Sequence, residues 1–331
     1  MSAALEPGPV SQTLLRMPLD RQAKRILGML AAGGMPLRSS DFSAPQMRES
    51  MRRLAQTFDV QGVAIGAVEN RDLPGIGGPL PVRIYTPAAL SATQESAALV
   101  YFHGGAGVFC SIDTHEGLCR MLANASACRV FSVDYRLSPE HRFPAAIEDA
   151  YCATQWLCAH ARKVRIDPAR IAIGGDSFGA TLAAVVCQRA KEEFGPALAL
   201  QVLICPVTDL TGRSASWQAY GEGYFLERIT LDWAIENYAP NMDLADRRIS
   251  PLCTLDFTGL PPAHVHTAEF DPFRDEGRAY ADALARAGVP VRYVCHAGMI
   301  HHFYCMAGAI TYAQRAIAQA GAAIQEALAV T

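Results

Sequence analysis

From residue 60 onward, short apolar runs and helical patterns take turns along the chain, and this alternation constrains the fold more than any other feature. Residues 98–102, 129–135, 170–173, 199–205, 263–268 and 290–295 are compact apolar runs, long enough for strands and too short for helices. Helical patterns occupy 145–161, 178–193, 275–287 (closed by Gly288) and 306–328. Strands that return in one direction need crossover helices, and the sheet so built is covered on both faces. An α/β fold with a parallel sheet is therefore expected. Ahead of it, Val63-Ala64-Ile65 and residues 81–86 read as a strand pair. Two amphipathic helices open the chain, over 19–32 and 44–58; Gly33-Gly34 ends the first, and Met47, Met51, Leu54 and Phe58 share one face of the second. Residues 209–249 break the rhythm. They are polar and aromatic, with Trp217, Tyr220, Tyr224, Phe225, Trp233 and Tyr238, and read as a helical insertion.

Composition narrows the class. Half of the 331 residues are hydrophobic and 18% charged, as in a globular protein with a large core. The net charge is −3, and no basic run exceeds the Arg52-Arg53 and Arg247-Arg248 pairs, so no surface for nucleic acid is expected. Residues 1–10 lack the basic and apolar regions of a signal peptide, and no stretch reaches the ~18 apolar residues of a membrane span. A cytoplasmic location follows as the expectation. The ten cysteines are scattered, with no Cys-x-x-Cys pair, and are expected as buried free thiols. The sequence is compatible with a homodimer and fixes no oligomeric state.

The chemistry is concentrated in four places. Gly175-Asp176-Ser177-Phe178-Gly179 lies between an expected strand and an expected helix, the strand-turn-helix setting of a Gly-x-Ser-x-Gly nucleophile elbow. Side chains at Gly175 and Gly179 would obstruct so sharp a turn. His103-Gly104-Gly105-Ala106-Gly107 follows the strand over 98–102, where exposed amides can stabilise a developing oxyanion. A nucleotide loop is disfavoured, since neither Gly-x-Gly-x-x-Gly nor Lys-Ser/Thr is present. A serine nucleophile needs a base and a carboxylate to orient that base. Asp271, with Glu269 and Asp275 as rivals, follows the strand over 263–268; His301, with His302 as rival, follows the strand over 290–295. Both groups stand at carboxyl ends of strands, where open α/β sheets bind ligands. Asp275 is better placed to cap the next helix. His301-His302 with His264 and His266 completes no recognised ligand set, so no metal is expected.

These residues, together with Asp134-Tyr135-Arg136-Leu137-Ser138-Pro139-Glu140, residues 143–146, Asp271-Pro272-Phe273-Arg274-Asp275-Glu276-Gly277 and His301-His302-Phe303, resemble the hormone-sensitive lipase family of α/β-hydrolases, in its bacterial acetyl esterase and carboxylesterase branch. The resemblance implies one α/β-hydrolase domain over 1–331 with an eight-stranded, mostly parallel sheet, helices on both faces and no cofactor. It also implies a helical cap built from about 1–55 and 209–249. Carried over, it implies Ser177 as nucleophile, Asp271 as acid and His301, two places before the aromatic, as base. Oxyanion donors would be the amides of Gly105 and Ala106, with Gly104 adjacent, and of Phe178. This chain departs from the family in Ala106 for a third glycine, in Phe178 and Ala180 in the elbow, and in His302 for the usual glycine. The expected function is a serine carboxylesterase acting on small, short- to medium-chain acyl esters through an acyl-enzyme. The same chemistry on an amide, lactone or carbamate, or a non-catalytic small-ligand receptor, are the alternatives. Trp217 and Phe225 are expected to line an apolar substrate pocket, with packing of the cap onto the body as the competing role.

Overall fold

A computed structural model describes residues 18–32, 43–91, 94–212 and 214–329. Eight strands form one sheet: β1 (Ala67–Gly75), β2 (Gly78–Thr86), β3 (Ser96–Phe102), β4 (Arg129–Val133), β5 (Ile166–Asp176), β6 (Leu200–Ile204), β7 (Ala263–Phe270) and β8 (Val291–Ile300). Their order is β1-β2-β4-β3-β5-β6-β7-β8. Only β2 runs against its neighbours, β1 and β4; the remaining pairings are parallel. Strands β3, β4 and β6 are buried at every residue, which is why they appear in the sequence as unbroken apolar runs.

The first strand corrects the sequence reading. Residues 63–65 are not in a strand; the chain enters the sheet at β1, whose first six side chains are exposed, with Leu73 alone buried. A solvated edge strand has no apolar run to betray it. A second correction is α3 (Glu116–Ser126), the crossover between β3 and β4, which the sequence reading passed over. It buries Leu118, Cys119, Leu122 and Ala123.

The other helices fall close to expectation: α1 (Arg21–Ala32), α2 (Ala44–Phe58), α4 (Ala145–His160), α5 (Phe178–Glu192), α8 (Arg274–Arg286) and α9 (Thr311–Ala327). Ser43 starts α2, its N–H donating to Gln46 Oε1 at 3.0 Å, and Met47, Met51, Leu54 and Phe58 are all buried. Helix α9 starts later than 306 because Phe303–Met306 form a 3₁₀ turn first. The insertion holds α6 (Ala215–Tyr220) and α7 (Arg228–Tyr238), with no strand among its described residues. Residues 1–17 and 33–42 of the expected N-terminal cap segment, with the Gly33-Gly34 stop, lie outside the described residues. One apolar core runs from α1 to α9, and none of the ten cysteines is joined in a disulfide.

Two features of this core have measurable consequences. The neutral imidazoles of His266 (β7) and His296 (β8) stack at 5.4 Å, with Nδ1 of the first 3.2 Å from Nε2 of the second. The Tyr304 hydroxyl reaches both rings, at 3.2 and 3.0 Å. Burial holds His296 down to about 4 and His266, with His296 adding to the effect, well below its ordinary value. The unfolded imidazole takes its proton near 6.5 and the folded one refuses it, so this stabilisation is complete above 6.5 and is lost as pH falls toward 4. Asp59 and Glu276, raised to about 7 by burial, act with the opposite sign, losing their contribution as pH rises to 7. Comparison with His296→Gln isolates the imidazole: the loss of stability between pH 6.5 and 4 should be shallower in the variant by about 1–3 kcal/mol in urea unfolding. Equal slopes would exclude His296 as the source.

The second feature is the approach of α5 to β3. A side chain at Gly179 would collide with the carbonyl of Phe102 and come within 2.6 Å of that of His103. Backbone of a central strand cannot yield, so Gly179→Ala should cost about 3 kcal/mol or more. Thermal unfolding of the variant checks this, and a near-native midpoint would contradict it.

Candidate active site

Strand β5 ends at Asp176 and α5 begins at Phe178, leaving Ser177 alone to turn the chain. It does so at φ 52 and ψ −122, a conformation that non-glycine residues rarely adopt. The Ser177 N–H donates to Ile204 O of β6 at 2.8 Å, and a side chain at Gly175 would collide with Phe102 O. The strain is held by these contacts and leaves Oγ free of the sheet.

Oγ points at the ends of two other strands. His301, directly after β8, has Nε2 2.9 Å from Ser177 Oγ, and its Nδ1 lies 2.7 Å from Asp271 Oδ2. Asp271, directly after β7, accepts the Phe273 N–H on its other oxygen at 2.8 Å. Asp271 is fully buried and His301 is 3% exposed, so the contacts operate away from bulk water. The rivals are engaged elsewhere. Glu269 Oε2 accepts the Gly298 N–H at 2.8 Å. Asp275 corrects an expectation: α8 has Phe273 at its N-cap, and Asp275 Oδ2 instead accepts the Ser216 N–H at 2.9 Å, pinning the insertion. His302 makes no contact with Asp271 or Ser177 of this kind.

The glycine loop after β3 is shaped by a buried network that the sequence reading missed. Asp176, next to Ser177, accepts hydrogen bonds from Tyr101 Oη at 2.8 Å and from the Gly104 N–H at 3.0 Å. The His115 Nε2–H donates to the same carboxylate at 3.1–3.2 Å. Burial alone would raise Asp176, but His115 outweighs it and holds the carboxyl well below its usual range. Burial likewise opposes the proton on His115, and Asp176 outweighs that, raising the imidazole above its ordinary value. The result is a buried carboxylate under the loop, facing an imidazole whose proton it favours. Gly104, grouped by sequence with the oxyanion donors, therefore spends its N–H on Asp176. Gly105, Ala106 and Gly107 follow at φ 107, 53 and 73, so Ala106 carries its methyl in a left-handed conformation. Among the described residues the N–H groups of Gly105, Ala106 and Phe178 have no hydrogen-bond partner. Phe178 adds the positive end of α5.

An apolar cavity opens onto Ser177 and His301, between α2 (Met47, Met51), the glycine loop and the insertion (Phe225, Leu231). Phe225 is among the residues that line it. Trp217 is not: it packs edge-on against Phe273 at 5.3 Å, in a small cluster with Val207 and Leu231, which themselves line the cavity. Among the described residues, two groups of side chains are close enough to ligate a metal, His115-Asp176-His302-Cys305 and Cys205-Asp271-His301. In each, the nearest carboxylate and imidazole are already hydrogen bonded to one another, which accounts for their proximity without an ion.

Residues 99–305 match the family described as alpha/beta hydrolase fold. The chain is 42% identical over 256 residues to the carboxylic ester hydrolase LipN of Mycobacterium tuberculosis, covering 75% of this chain and 67% of that protein. It is 41% identical over 252 residues to the ethyl acetate hydrolase of Pseudomonas putida, covering 76% and 79%. A solved thermostable esterase from Pseudomonas putida superposes with a TM-score of 0.89 at 34% identity, covering 95% of this chain and 99% of that one. Matched in sequence over most of its length and in architecture, the chain belongs to the α/β-hydrolase fold family, in its hormone-sensitive-lipase-like group.

Proposed function

We propose that this chain hydrolyses small carboxylic esters through an acyl-enzyme formed on Ser177. Ester hydrolysis is the activity of the group to which it belongs. The observation that carries the residue assignment is the unbroken hydrogen-bond chain from Ser177 Oγ through His301 to Asp271, at 2.9 and 2.7 Å. With Nδ1–H donated to Asp271, His301 presents Nε2 as the acceptor for the serine proton. Oγ then attacks the ester carbonyl, and the oxyanion takes the N–H groups of Gly105, Ala106 and Phe178. His301 passes its proton to the departing alkoxide. A water molecule, deprotonated by the same nitrogen, frees the acid and restores Ser177.

Helices α6 and α7, with the N-terminal segment, serve as the cap that closes an apolar cavity over this site. The cavity suits a hydrocarbon-bearing ester better than a charged substrate. The small-ester reading is supported by the Pseudomonas putida relative, named for ethyl acetate. No helix among the described residues is long and apolar enough to cross a membrane. Ten cysteines with no disulfide among them support a reducing, cytoplasmic setting.

Two measurements test the mechanism. Native protein mixed with p-nitrophenyl acetate should give a burst of one nitrophenolate per Ser177, and Ser177→Ala should abolish both the burst and labelling by a fluorophosphonate. A protein that binds esters with no burst and no label would be a receptor instead. Asp271→Asn should lower kcat by about 10⁴ through loss of the His301 tautomer, and near-native turnover would assign the acid elsewhere.

A further inference from the structure

The mechanism above makes no use of His302, although its ring reaches the cavity. Its backbone sits at φ 66, and Phe225, in the turn between α6 and α7, sits at φ 79. Left-handed backbone is strained for residues that carry a Cβ, less so for His than for Phe, and at a buried site the surrounding contacts must offset that strain. The contact made here is mutual. The two rings lie within 4° of parallel, with centroids 5.6 Å apart, an offset stack that spans from the body to the insertion.

Nothing polar accounts for the placement of the imidazole. His302 Nδ1 is 3.9 Å from Asp176 Oδ2, beyond hydrogen-bonding range, and the ring meets His115 edge-on at 5.7 Å. Burial, reinforced by His115, pushes His302 down to about 3, so the ring is neutral under ordinary conditions. A neutral, stacked ring beside Ser177 and His301 is a wall.

We infer that the His302–Phe225 stack is the end wall of the substrate cavity and limits the length of the ester hydrocarbon chain that can occupy it, making His302 a specificity-determining residue for short-chain esters. The inference rests on the esterase reading above. Removing either ring opens the same end of the cavity, so the two deletions should act alike and should not add.

The test is kcat/KM over two series, p-nitrophenyl esters from acetate to decanoate and acetate esters from methyl to octyl, for the native protein, His302→Gly, Phe225→Ala and the double variant. His302→Asn, which tolerates left-handed backbone, is included against loss of fold in the glycine variant. The long-chain to short-chain ratio should rise by about tenfold or more in each single variant and little further in the double variant. The series in which it rises tells whether the acyl or the alkyl group meets the wall. Unchanged ratios in both series, or a uniform fall at every length, would overturn the wall. A native protein inactive on every ester of both series would instead overturn the esterase reading.

Discussion

The carboxylate of Asp176 joins the parts of the site that have to stay in register. It accepts from Tyr101 on β3, from the Gly104 amide that begins the glycine loop, and from His115 ahead of α3, and it is the residue before Ser177. A buried charge of this kind is tolerated only when it is paired and its lone pairs are satisfied, and both conditions hold. The turn at Ser177 and the glycine loop are thereby fixed to one atom group. Because the carboxylate is enclosed, removing His115 would leave a buried charge without its imidazole partner, at a cost of about 3–5 kcal/mol.

That rigidity is what allows a strained serine to be useful. Ser177 stands in a backbone conformation that is unfavourable in isolation, and the contacts of Gly175 and Gly179 with the Phe102 carbonyl leave the chain no other route. The parallel order of β5, β7 and β8 then brings three chain ends to one rim of the sheet. Amides with no partner, a helix N-terminus and an apolar cavity converge on Ser177, and electrostatic stabilisation is strongest in apolar surroundings.

Much of the fold was legible because the core strands are covered on both faces and so carry unbroken apolar runs. The exposed strand β1 carried no such run, and α3 lay in a stretch where the glycine loop drew the reading toward chemistry. The residues at strand ends that the site uses were legible for the same topological reason. The distinction of Asp271 from Glu269 and Asp275 was not legible from spacing alone, because all three follow the same strand within seven residues. Their fates are set by partners remote in sequence: His301, Gly298 and Ser216. Trp217 and Phe225 sit eight residues apart in one aromatic insertion, yet only the second turns its ring into the cavity.

By itself the sequence determined the α/β alternation, the glycines that permit the elbow and the chain order of serine, acid and histidine, since each is a local property of period, side-chain size or position. Only the tertiary structure decided that Gly104 is tied to Asp176, that Asp176 favours the proton on His115, and that His302 and Phe225 meet face to face. Those outcomes depend on distances between segments far apart in the chain, and on how burial changes the cost of a charge, neither of which a linear pattern encodes.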